Sequence, residues 1–220
     1  MCVIVISPHP DDETLGCGGT LLRHKAEGKE IHWVIMTKIS EESGYTAQEV
    51  KSRNAEIRNV SNEYGFSSVN IADFDTTTLD YVPKNKLIQF ISKVFYEVQP
   101  NIVYMPFLGD AHSDHLAVFE AVSSCTKSFR YPFIKKVRAY EVLSETEFGI
   151  YPDRTFKPNL WIDIGIYFEK KIEIMKIYEN EMGSHPFPRS EEAIKALATI
   201  RGIVAGVESA ESFMSLKEIL

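Results

Sequence analysis

The chain has 220 residues and a mass of 25.0 kDa, and 44% of it is hydrophobic, which suits one domain with a sizeable core over residues 1–220. A net charge of -7, a pI near 5.4 and no basic run longer than Lys135-Lys136 or Lys170-Lys171 argue against a nucleic-acid footprint. No stretch approaches the roughly 18 apolar residues of a membrane span, and the first residues enter a core strand with no basic leader, so neither a membrane helix nor secretion is expected.

Cys2, Cys17 and Cys125 are odd in number and lie in no Cys-x-x-Cys spacing. A disulfide framework or a structural thiolate zinc site is therefore not expected, and a reducing cytoplasm is the expected location. Cys17 falls near the polar cluster described next and is expected to be either a buried structural thiol or a reactive one.

The continuous β-branched run Val3 to Ile6 predicts a strand buried on both faces of a parallel sheet. It discharges into Ser7-Pro-His-Pro-Asp-Asp-Glu13, and ligands gather at the carboxyl ends of such strands. Pro8 and Pro10 hold the residues before them out of helical geometry, so His9 and Asp12 are expected in an extended turn close enough to grip one ion. Asp11, Asp12 and Glu13 repel one another unless a cation sits among them; the alternative is an acidic helix start.

Gly16, Gly18 and Gly19 predict a tight turn, with Leu15, Leu21 and Leu22 supplying the apolar face of a helix to about Ala26. Ile31 to Thr37 reads as a second strand, which completes a βαβ unit. The glycine cluster lacks both nucleotide-binding spacings. A helix from Thr46 to Tyr64 places Val50, Ile57, Val60 and Tyr64 on one stripe and sets Arg53 on it. A buried arginine needs an anionic partner: an acid of this chain near Glu56 or in the Asp11–Glu13 turn, or a phosphate or hydroxyl of a substrate.

A weak strand over 69–74, a helix from Lys86 to Val98 and a short buried strand Ile102 to Met105 follow. That strand again ends in polar chemistry, Pro106-Phe-Leu-Gly-Asp-Ala-His-Ser-Asp-His115, before a helix from Leu116 to about Thr126. Strands over 137–143 and 160–164, with Tyr140 and Trp161 as packing residues, and a helix from Tyr167 to Asn180 come next. Ser184-His-Pro-Phe-Pro-Arg-Ser190 is an extended loop carrying His185 and Arg189, and Ser190 caps a further helix that begins with Glu191 and Glu192.

Taken together, His9, Asp12 and one of His112 or His115 form a three-ligand nitrogen and oxygen set with a fourth position open for water, the arrangement of catalytic zinc sites. Asp11 is placed to take a proton from that water, and the second histidine to donate to a developing oxyanion or leaving amine.

The chain resembles the de-N-acetylases related to N-acetylglucosaminyl-phosphatidylinositol deacetylase, including the LmbE-like bacterial enzymes. The resemblance rests on Pro8-His-Pro-Asp-Asp-Glu13, on Arg53 with Glu56, on His112-Ser-Asp-His115, on His185-Pro-Phe-Pro-Arg-Ser190 and on Gly206-Val-Glu-Ser-Ala-Glu-Ser-Phe213. It implies an α/β fold, a Rossmann-like three-layer sandwich with a mostly parallel central sheet. The implied enzyme is a zinc-dependent hydrolase that removes acetyl from an amino sugar, with Fe2+ or another divalent metal as the alternative ion in cells. It further implies His9, Asp12 and His115 as metal ligands, Asp11 as general base and His112 as the group that stabilises or protonates the tetrahedral intermediate. Asp114 would orient a histidine, Arg53 would bind substrate, and His185 and Arg189 would border the sugar pocket. The implied partner is a small N-acetylated sugar, with no nucleic acid and no membrane segment, and an assembly of several copies is in keeping with relatives.

Overall fold

The computed structural model describes residues 1–220. In chain order its elements are β1 (Cys2–Ser7), α1 (Asp12–Ala26), β2 (Glu30–Ile35), α2 (Ala47–Tyr64), β3 (Ser68–Ile71), α3 (Lys84–Val98), β4 (Ile102–Met105), α4 (Ser113–Ser124), β5 (Lys136–Tyr140), β6 (Leu160–Asp163), α5 (Phe168–Met175), α6 (Glu191–Ala205) and β7 (Ala210–Glu218). The seven strands form one sheet in the order β3-β2-β1-β4-β5-β7-β6. The first five pair in parallel, and β7 runs antiparallel between β5 and β6. This is the mostly parallel α/β sandwich implied by the sequence.

Alternation along the strands sorts the core onto two faces. Val3, Val5, Trp33 and Tyr104 pack with α1, α2, α5 and α6 on one side, while Ile4, Ile6, Val34, Val103 and Met105 pack with α3 and α4 on the other. Chain order reverses between β1 and β4, the neighbours at the centre of the sheet. A crevice opens beyond the carboxyl ends of strands at such a reversal, and both His/Asp clusters leave the sheet there.

Two expectations about elements are corrected and one element was not foreseen. The glycines of 16–19 make no turn; they lie inside α1 because neighbours come too close for a side chain. A Cβ on Gly16 would lie 2.3 Å from Tyr140 Cδ2, and one on Gly19 2.7 Å from Ile164 Cβ. The helix expected from Tyr167 to Asn180 stops at Met175, after which i→i+3 bonds from Ile177 to Ile174 and from Tyr178 to Met175 tighten the chain and turn it towards the crevice. β7 went unforeseen, because buried Glu211 and Ser212 break the apolar pattern by which strands are recognised.

Those buried polar groups have partners. Cys17 leaves helical geometry (φ -148°, ψ 24°) and divides α1 into two segments. The Glu211 carboxylate accepts from Gly19 N at 2.9 Å and Thr20 N at 2.8 Å, donors that the break frees. Lys171 Nζ, itself 3% exposed, donates to the freed carbonyl of Leu15 at 2.9 Å and to Glu211 at 2.7 Å. Cys17 is fully buried at this break and burial pushes its thiol pKa well up, so of the two roles expected for it the structure supports the inert one.

His24, on the second segment, is buried between Tyr104 Oη (2.9 Å from Nε2) and Lys29 Nζ (2.9 Å from Nδ1). Burial and the Lys29 ammonium bring its pKa down from 6.5 to about 4. The unfolded chain therefore takes up this proton first, and stability drains away as pH falls below 6.5. Between pH 7 and pH 5 the loss from this group is about 2 kcal/mol. Urea titrations at both pH values should show His24→Gln losing less stability on acidification than the wild type by that amount; identical losses would clear His24 of the role.

Candidate metal centre and pocket

The turn after β1 carries the first cluster and distributes its three acids. Asp11 is the N-cap of α1 and holds φ 126°, ψ -32°, a left-handed conformation that costs a residue with a side chain roughly 1–3 kcal/mol. Asp12 is not in an extended turn as expected but opens the helix, where its Oδ2 accepts from His9 N at 2.8 Å. Glu13 turns away into the core and accepts from Asp11 N at 3.0 Å, Thr14 Oγ1 at 2.6 Å and Tyr178 Oη at 2.8 Å; burial pushes its pKa up to about 7.

The second cluster follows β4. α4 begins three residues earlier than expected because the His112 ring caps it, with Nδ1 accepting from Asp114 N at 3.0 Å. This bond leaves the proton of a neutral His112 on Nε2. His115 lies in the first turn, fully buried.

The crevice brings the clusters together. His9 Nδ1 lies 3.5 Å and His115 Nε2 3.4 Å from Asp12 Oδ2, and one donor atom from each residue falls within 4.8 Å of the others. A second triplet, His9, His112 and Asp114, meets the same spacing, but its carboxylate is spent. Asp114 accepts from Thr77 N at 2.7 Å, Leu79 N at 2.9 Å and His9 Nε2 at 3.0 Å, and His112 Nδ1 is the helix cap. In the first triplet, by contrast, His115 Nε2 is buried without a hydrogen bond, and a buried nitrogen of this kind calls for a ligand.

Charge tells the same story. Burial opposes protonation of His9, yet its bonds to Asp114 and Asp12 raise its pKa to about 9. His115 is likewise pushed up against burial by Asp12 and Asp110, and the two imidazoles hold Asp12 far below the carboxylate range despite its burial. Without an ion the site gathers protons around Asp12, and a divalent cation would replace them. Two imidazoles and one carboxylate with an open fourth position suit zinc or a similar ion. Each imidazole is aimed by a carboxylate: Asp114 holds His9, and Asp110 Oδ2 holds His115 Nδ1 at 2.8 Å. Asp110 was missed in the sequence, although its place directly after β4 and five residues before His115 was the available signal.

Asp11 faces the cavity beside this triplet, and burial together with the Asp12 and Glu181 carboxylates pushes its pKa well up. The cavity, about 290 Å³, is further lined by Thr37, Lys38, Tyr45, Asn54, Ser144 and Glu145. Arg53 and Arg189 also line it, but neither presents a free charge. Arg53 Nη1 donates to Pro10 O at 3.3 Å, its Nε lies 3.3 Å from Glu56 and its Nη2 pairs with Glu181. Arg189 donates to the Glu181 carbonyl at 2.7 Å, to its carboxylate at 2.9 Å and to Ser144 Oγ at 3.1 Å. The anionic partner that Arg53 required is thus within the chain, and Glu181, hidden just beyond a stretch read as helix, supplies it. His185, expected to border the sugar pocket, is exposed and stands outside the residues lining the cavity.

A diacetylchitobiose deacetylase from Thermococcus kodakarensis is 26% identical to this chain over 95% of its length and 80% of the deacetylase's own. A probable N-acetyl-alpha-D-glucosaminyl L-malate deacetylase 2 from Bacillus anthracis is 24% identical over 83% and 82%. The crystal structure of a conserved protein, TT1542, from Thermus thermophilus superposes with a TM-score of 0.78 at 25% identity, covering 99% of this chain and 96% of that one. The family model for GlcNAc-PI de-N-acetylase, PIG-L, matches residues 4–126, the span holding both His/Asp clusters, and the chain belongs to that family.

Proposed function

We propose that the protein is a zinc-dependent hydrolase that removes the acetyl group from an N-acetylamino sugar conjugate and releases acetate. The observation that carries this reading is the convergence of His9, Asp12 and His115 beside the cavity-facing carboxylate of Asp11. An ion held by His9, Asp12 and His115 would polarise the amide carbonyl and make a nearby water more acidic.

The chain's own groups do the rest. Asp11, with its pKa raised, accepts the proton of the attacking water and returns it to the departing amine. His112 stays neutral, since burial and His9 lower its pKa, and it offers its Nε2 proton to the carbonyl oxygen as negative charge develops there. Asp114 and Asp110 keep His9 and His115 in the tautomers that leave one nitrogen free for the ion. Arg53 and Arg189 retain N–H donors beyond those used in their ion pairs, which suit sugar hydroxyls. Water is consumed and its oxygen leaves in acetate, so the step balances without another reactant.

Acetate release from a panel of free, nucleotide-linked and glycoside-linked N-acetylamino sugars tests the reading. Zinc-loaded protein should release acetate from at least one member, chelated protein from none, and added zinc should restore it. No release from any member by protein holding one ion per chain would shift the reading to another amide or a phosphoester.

A further inference from the structure

The substrate's charge is legible in the cavity wall. Its lysine and arginine side chains are Lys38, Arg53 and Arg189, and each is already matched to a carboxylate of the chain. Lys38 pairs with Asp73, Arg53 with Glu56 and Glu181, and Arg189 with Glu181. Glu181 is central: one oxygen takes Arg53 and the other Arg189, so a single carboxylate fills the position between two guanidiniums that an anionic ligand would otherwise enter.

The wall also holds carboxylates with no such partner. Asp11 faces the cavity, and Glu145 lines it too. A phosphate or carboxylate on the substrate would have to evict Glu181 and lie close to these acids, an arrangement that like-charge juxtaposition penalises.

We propose that this site selects conjugates whose aglycone is uncharged, such as a second sugar or an alkyl glycoside, and rejects those bearing phosphate or carboxylate, with Glu181 as the residue that sets the preference. The inference rests on the deacetylase reading for the nature of the sugar, but its test does not depend on turnover.

Calorimetry with chelator-treated protein, which supports no catalysis under that reading, should be run with N-acetylglucosamine 1-phosphate, a hydroxy-acid glycoside of N-acetylglucosamine and its methyl glycoside. Wild-type protein should bind the methyl glycoside about tenfold or more tightly than either anion. Glu181→Gln keeps the size but frees the charge of both arginines, so it should narrow that ratio by about tenfold, and low salt should accentuate the gain. Equal or tighter binding of an anion by the wild type would overturn the proposal, whether or not the variant folds. An unchanged ratio in a folded Glu181→Gln would overturn the role of Glu181. Failure of acetate release alongside the expected binding ratio would instead count against the deacetylase reading alone.

Discussion

Asp11→Asn should lower turnover by about 10²–10⁴-fold, the usual contribution of a positioned general base, while leaving the stoichiometry of bound zinc unchanged. The separation follows from the turn after β1, which sends the Asp12 carboxylate to His9 and His115 and the Asp11 carboxylate into the cavity. Metal content by atomic emission and single-turnover acetate release distinguish the two effects. A fully active Asp11→Asn would remove Asp11 from the base position. The same residue carries a stability cost, because its φ of 126° is one that glycine adopts freely. Asp11→Gly should therefore stabilise the metal-free fold by about 1 kcal/mol after glycine's own entropy is counted, although it is inactive. A destabilised Asp11→Gly would show that this backbone conformation stores no strain.

Lys171→Met should destabilise the protein by about 3–5 kcal/mol, measured by urea unfolding, because it strands a buried Glu211 carboxylate. Lys171 and Glu211 are 3% and 5% exposed, so water cannot take over the lost interaction. The loss reaches further than one ion pair. Together these groups cap both broken ends within α1, and α1 begins at Asp12, so zinc affinity should weaken as well. Adding Glu211→Gln should recover part of the loss, since the amide oxygen still serves one of the two donors, Gly19 N and Thr20 N, that the carboxylate holds on separate oxygens, and no charge is left behind. A Lys171→Met variant as stable as the wild type would show that Lys171 does not hold the broken ends of α1 together.

Local signals carried much of this architecture. The β-branched run of β1, its proline-flanked acids and the second His/Asp group after β4 are adjacent in sequence to the chemistry they serve, so strand pattern and residue type sufficed to read them. The family resemblance, not the spacing, chose His115 over His112 as the expected ligand; in the fold His112 Nδ1 caps α4 while His115 Nε2 is buried without a hydrogen bond. What escaped depends on distant partners. Glu181 meets Arg53 across 128 positions, Tyr178 meets Glu13 across 165 and Glu211 meets Lys171 across 40. No periodicity encodes such pairings. The glycines of α1 misled for the same reason: their meaning lies in Tyr140 and Ile164, which arrive from distant parts of the chain.

The register between β1 and β4, with Val3 opposite Ile102, Ile4 opposite Val103 and Val5 opposite Tyr104, has a thermodynamic consequence for metal uptake. His9 lies two residues beyond the end of β1, and Asp110, which aims His115, lies five beyond the end of β4, so the donor separation is inherited from backbone hydrogen bonds rather than assembled by the ion. An ion taken up there, zinc under the proposed function, would join a completed scaffold and be spared the cost of ordering a chain that metal-nucleated domains must bear. Such an ion should raise the melting temperature by mass action, in proportion to the logarithm of its concentration, and its removal by chelation should leave the fold intact.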